Sequence, residues 1–137
     1  MADLTVTAAN VLQGSSANIN QGTIAAATTM TQGKSVYQLA NGTYGLADSN
    51  GTPPANSFAG IALTAGSAGQ KFLFVSSDPG FTPGATLTSG FPVFLSDTPG
   101  AITQTIADLA SGSTAICIGM ATSTTVMNLS IIVGGTV

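Results

Sequence analysis

Histidine, arginine, glutamate and tryptophan are absent from this chain, which carries one cysteine, two lysines and five aspartates in 137 residues. Each absence removes a class of chemistry. Without imidazole there is no Ser-His-Asp or Cys-His pair and no His-ligated metal. One cysteine can neither close an intrachain disulfide nor build a thiolate-rich zinc site. A net charge of −3 with two cationic side chains cannot neutralise a run of phosphates, so neither nucleic acid nor an anionic membrane is expected as a partner. The most apolar stretch, residues 115–137, is interrupted by Thr122, Ser123, Thr124, Thr125 and Asn128, and falls short of the ~20 predominantly apolar residues of a membrane helix. The opening residues, from Met1 to Val6, lack the basic and apolar regions of a secretion signal.

What fills the chain instead is small and neutral. There are 20 threonines, 20 alanines, 17 glycines and 14 serines, more than half of the sequence, while charged residues make up 5% against ~25% in an ordinary soluble domain. Turn dipeptides recur at Asn41-Gly42, Asn50-Gly51, Pro79-Gly80, Pro83-Gly84, Pro99-Gly100 and Gly134-Gly135. Between them run short segments rich in β-branched and aromatic residues, which predict strands. Candidate strands are residues 4–8, 24–30, 36–39, 59–63, 70–76, 85–88, 91–95, 101–104 and 115–121. A last strand starts at Met127, with Met127, Leu129, Ile131 and Val133 on one face. Helical periodicity is confined to a turn or two within residues 105–110. Residues 8–22, crowded with Asn, Gln, Ser and Gly, carry no pattern and predict a long loop or extended arm. The fold class expected is all-β: a small antiparallel β-barrel or β-sandwich of about ten short strands with an extended N-terminal arm.

The candidate chemical motifs are weak. Gly33-Lys34-Ser35 matches the tail of a phosphate-binding loop, but Thr28 stands where its first glycine belongs and a strand follows rather than a helix. Asp48-Ser49-Asn50-Gly51 opens like a calcium loop, yet no glutamate exists to close it. Cys117, between Ile116 and Ile118, reads as a buried, inert thiol. No catalytic, cofactor-binding or metal-binding residue is assigned. The aromatics are more informative. Phe72 and Phe74 alternate with Leu73 and Val75, and Phe91, Val93 and Leu95 with Phe94, so both faces of these strands are apolar. A half-exposed strand is apolar on one face only. Such strands lie either between two layers or against another subunit.

Several stretches look familiar: Gly60-Ile61-Ala62-Leu63, Ala68-Gly69-Gln70, Pro83-Gly84-Ala85-Thr86-Leu87, the run from Pro92 to Thr103, and Ile118-Gly119-Met120-Ala121-Thr122-Ser123. Together with Gly33-Lys34-Ser35-Val36-Tyr37 and Leu46-Ala47-Asp48, over roughly residues 23–133, the chain resembles the cement, or head-decoration, proteins of tailed bacteriophages. The resemblance implies a non-enzymatic structural virion protein without cofactor, bound to the outer surface of the capsid. It would be a homotrimer that stabilises the shell by bridging major capsid proteins. In that family the N-terminal segment often reaches a neighbour or the shell. Here it would be residues 1–22, ahead of a single β domain over residues 23–137. The expected interface residues are Leu4, Val6, Val11 and Leu12 in the arm, with Phe81 and Phe91 at subunit contacts. The alternative is a glycan-binding or adhesin-like β module of a phage tail or fibre, recognising sugars through exposed Tyr37 and Tyr44.

Overall fold

The computed structural model describes residues 3–136. It is nearly all β, an antiparallel sheet of about ten strands curled into a half-barrel. In chain order the strands are β1 (Val11–Leu12), β2 (Asn18–Thr23), β3 (Ser35–Gln38), β4 (Tyr44–Leu46), β5 (Gly60–Ala62), β6 (Lys71–Pro83), β7 (Pro92–Leu95), β8 (Ile102–Thr103), β9 (Thr114–Ala121) and β10 (Met127–Thr136). Single 3-10 turns occupy Ala8–Asn10 and Ile106–Asp108, the second where helical periodicity was expected.

The organising element is β6, 13 residues long. Its first half pairs with β2 on one side and β5 on the other, and its second half with β10 and β1. The chain order across the sheet is β4-β3-β5-β6-β10-β9-β7-β8. Sequence reading places a turn at Pro79-Gly80, but both residues lie inside β6. The turn chemistry is used for a bend instead. Buried Asp78 accepts hydrogen bonds from the Gly80 N–H (3.0 Å) and from the Gly14 N–H (2.6 Å), and the β10 register shifts beside it. Such irregularities are where strands bend between sheets.

The buried side chains form two cores, the larger of which extends across the bend to Val75 and Ile61. Ile24, Met30, Val36, Ala62, Phe72 and Phe74 fill the smaller, with Tyr44 and Leu46 at its rim. It is closed by a parallel bridge from Ile24 to Tyr44, the Ala25 N–H donating to the Tyr44 carbonyl at 2.9 Å. Glycine is required there at position 22, where a Cβ would lie 2.6 Å from Tyr44 Cδ1. The larger core gathers inward-facing residues of β6, β7, β9 and β10, among them Phe81, Val93, Leu95, Ile116, Ile118, Met127 and Leu129.

The N-terminal segment is extended but not free. Asp3 bridges Thr103, and the Leu4 N–H donates to the Ile102 carbonyl at 2.9 Å. Farther on, the Thr7 N–H donates to the Gly84 carbonyl at 2.8 Å, and β1 pairs with the end of β6. Residues 3–12 therefore span from β8, at one end of the sheet, to the end of β6 in its middle. Gly84 (φ +80 to the nearest ten degrees, 79° in the structure) allows this approach, since a Cβ there would lie 2.6 Å from the Thr7 carbonyl oxygen. Met1 and Ala2 lie outside the described residues.

Several expected strands change. Residues 4–8 make single bridging bonds rather than a strand, and residues 24–30 leave the sheet after Ile24 for a turn in which Ala27 has φ 58°. Residues 85–88 are irregular, while β2 and β4 form where none was expected. The alternation of the last strand breaks after Leu129. A register shift against β9 follows that residue, and Ile131 emerges 44% exposed. The side chain of Val133 lies outside the described residues.

Candidate interaction surface

The expected interface residues separate into three groups. Leu4, Val6 and Val11 are half-buried against the chain's own larger core. Apolar side chains on a segment tethered at both ends remove area from water by covering the adjacent core, and these three already pack in part against the chain's own core. Phe81 is fully buried. It faces inward opposite Met127 on β10, and its expected place at a subunit contact is corrected to the core. Leu12 and Phe91 are exposed, at 61% and 56%.

Phe91 is not alone. It precedes β7, whose inward residues are Val93 and Leu95 and whose outward residues, Pro92 and Phe94, are half-buried. Pro92 lies opposite Met120 of β9, which is 48% exposed, and Phe94 lies opposite half-buried Cys117. Cross-strand partners share a face, so Pro92, Phe94, Cys117 and Met120 form one outward apolar row, while Phe91 lies opposite buried Ala121 and is exposed at the end of the sheet rather than in that row. Cys117 is thus on the outer face rather than inside. Ile118 alternates inward beside Cys117, and the extra residue in β9 between its pairings with Val93 and Phe94 turns Met120 outward. The paired positions of this face continue through buried Thr103 to Asp3 on one side and to Asn128 on the other.

The row is held rigidly. Gln104 Nε2 donates to the Phe91 carbonyl (3.2 Å) and to the Thr88 carbonyl (3.0 Å), while its Oε1 accepts from the Thr88 N–H at 2.7 Å. The Ala121 N–H donates to the Phe91 carbonyl at 3.0 Å. A second polar knot fixes the loops at the far end of β7. Asp97 accepts hydrogen bonds from Ser49 Oγ, from Ser113 Oγ at 2.8 Å and from the Ala110 N–H at 2.6 Å. Partial burial opposes ionisation of Asp97, but these three donors outweigh it and hold the carboxyl below the usual carboxylate range. The neighbouring Ser96 Oγ donates to Asp3, tying down the N-terminal segment. Ser49, Ser96 and Ser113 are buried, and with no imidazole in the chain these hydroxyl–carboxylate pairs serve as structural ties.

The tyrosines of the alternative reading are not exposed platforms. Tyr44 is half-buried, its ring 4.8 Å from that of Phe74 and 5.8 Å from that of Phe72. Tyr37 packs half-buried against the larger core. What sequence reading missed is Met120, whose outward position follows from the β9 irregularity and not from strict alternation. Comparison with protein-family models, curated proteins and solved structures finds no match.

Proposed function

We propose that this chain is a structural virion protein, a capsid cement or head-decoration protein that binds the outer surface of a phage head and stabilises it by bridging major capsid proteins. The observation that carries the reading is the outward row of Pro92, Phe94, Cys117 and Met120, on a molecule with only two lysines and five aspartates. A surface so poor in charge suits a protein that spends its working life covered by partners. The row lies on paired strands, so little backbone entropy is lost when it docks. Each apolar Å² covered contributes ~25 cal/mol, and none of Pro92, Phe94, Cys117 and Met120 carries a charge that has to be stripped of water. In a homotrimer the same contact is presented three times, and modest single-site affinities combine through effective concentration. A protein that binds only the assembled shell stabilises that shell by mass action.

The reading assigns docking to the sheet face and leaves the N-terminal segment as part of the barrel. Its test is co-sedimentation of the purified protein with expanded phage heads that lack it. Saturable binding at a fixed ratio to the major capsid protein, and none to unexpanded shells, is the expected result. Absence of binding to expanded heads would overturn it.

A further inference from the structure

No residue from Asp3 to Leu12 is fully buried, although Leu4, Val6 and Val11 lie against the larger core. Hollows border the segment. Leu4, Val6 and Ala8 line one of about 230 Å³, while Thr5, Thr7 and Ala9 line another of about 610 Å³. Successive side chains of an extended chain point to opposite sides, so packing is incomplete on both. We propose that residues 3–12 form a strap that opens from the barrel as one unit, hinged at Gln13-Gly14, while both cores stay folded. The assignment does not depend on the capsid reading.

Backbone attachment is sparse as well. The Leu4 N–H donates to the Ile102 carbonyl at 2.9 Å and the Thr7 N–H to the Gly84 carbonyl at 2.8 Å. Thr5 and Val6 between them add no backbone bond among the described residues. The bonds from the Asn10 N–H to Thr7 and from the Val11 N–H to Ala8 stay inside the segment. In β1, Val11 lies opposite Pro83, which has no N–H to contribute. Ser96 Oγ adds one bond to the Asp3 carboxylate. Val6 stands between the two barrel bonds and rests on Gly33, where a Cβ would collide with its Cγ1. Lifting Val6 off that seat strains both bonds together, which couples Leu4 and Thr7 in a single opening.

The fixed end is well defined. The Gly14 N–H donates to buried Asp78 at 2.6 Å, and a hydrogen bond to a carboxylate is stronger than one between neutral groups. The chain is also pressed close there, since a Cβ at position 14 would lie 2.6 Å from Asp78 Oδ1 and 2.7 Å from the Gly80 carbonyl oxygen. Beyond that anchor, Ile19 to Thr23 pair in one register with β6. Opening free energy follows buried apolar contact and hydrogen bonding, and both rise steeply past Gly14. The closed strap has a definite effect on the sheet. Asp3 and Leu4 cover the outer edge of β8, the end strand, and opening returns that edge to solvent, where it is unpaired.

The experiment is native-state hydrogen exchange of the full chain, read amide by amide by NMR in urea kept below the unfolding transition. The reference amides are those of buried Ala62 and Ala121, bonded to the Lys34 and Phe91 carbonyls. After correction for intrinsic rates, Leu4 and Thr7 are expected to share one opening equilibrium and to exchange at least about a hundredfold faster than the references. Urea should speed the references steeply and the strap amides only slightly, because the slope follows the surface exposed. Val6→Ala should speed Leu4 and Thr7 by one common factor, about three- to tenfold. Unchanged chemical shifts in β6 and β9 establish that the variant is folded, and the urea series on the parent needs no variant. Strap amides that exchange at the rate and urea slope of Ala62 and Ala121 would overturn the proposal, since the strap would then leave only on global unfolding. So would different opening equilibria at Leu4 and Thr7, or unequal or absent responses to Val6→Ala, which are the marks of separate fraying.

Discussion

At the scale of single residues, position relative to the curl of the sheet separates side chains that look alike in the sequence. Phe81 and Phe91 are both phenylalanines beside proline and glycine, yet one is fully buried and the other 56% exposed. Phe81→Ala is expected to cost about 3–5 kcal/mol of folding stability, the usual range for emptying a buried aromatic site. Phe91→Ala should fall within about 1 kcal/mol of the parent. Urea unfolding of the two variants checks the contrast. Asp97 supplies a pH prediction with a definite sign. Its folded-state ionisation lies below the ordinary carboxylate value, so the stabilisation it provides is present above the unfolded-state pKa and is lost as pH falls through the folded one. Melting temperature should therefore decline on acidification below about pH 4, the region where a free aspartate titrates, and Asp97→Ala should weaken that acid-side decline. At neutral pH the same substitution leaves the buried Ser49 and Ser113 hydroxyls without their acceptor, at an expected cost of about 1–3 kcal/mol. A thermal melt series from pH 7 to acid on both proteins reads both effects.

Among the elements, the N-terminal segment gains a role that composition did not reveal. Residues 3–12 link β8 to the end of β6 and cover the larger core with Leu4, Val6 and Val11. Deleting residues 1–12 should strip that cover, lowering the unfolding midpoint and exposing apolar surface to a hydrophobic dye. If the truncated chain melts like the intact one, the segment is not part of the barrel. Strand β2 teaches a related lesson. Asn18-Ile19-Asn20-Gln21-Gly22-Thr23 has low intrinsic strand preference and reads as loop, but the five residues from Ile19 to Thr23 pair in one register with β6. Tertiary pairing overrides propensity there. In β6 the turn signal of Pro79-Gly80 is equally real and is spent on a bend within the strand. Strands with strong local patterns, β3, β7 and β9, stand close to where the sequence predicts them.

For the whole molecule, the question is what a charge-poor barrel does with its surface. Met120→Asp places a charge in the middle of the outward apolar row without touching either core. It is expected to leave folding stability within about 0.5 kcal/mol and to reduce occupancy on expanded heads at least tenfold, a ratio read from the same co-sedimentation assay. Undiminished occupancy would move the docking surface elsewhere on the barrel.

The sequence by itself determined the class of the protein and the limits of its chemistry. Alternating β-branched segments punctuated by glycine and proline turns specify an all-β chain, and the missing imidazole and scarce cations act wherever the residues lie, because they are properties of composition. The apolar doubling of β7 was also legible, since a strand that is oily on both faces lies either between two layers or against another subunit. Only the tertiary structure decided which face of each strand looks inward, that Cys117 and Met120 look outward, and that the N-terminal segment lies against its own barrel. Those outcomes depend on register and on single-residue irregularities in the pairing. One extra residue in a strand reverses the side chains that follow it, and a sequence pattern with a period of two carries no marker for where that reversal falls.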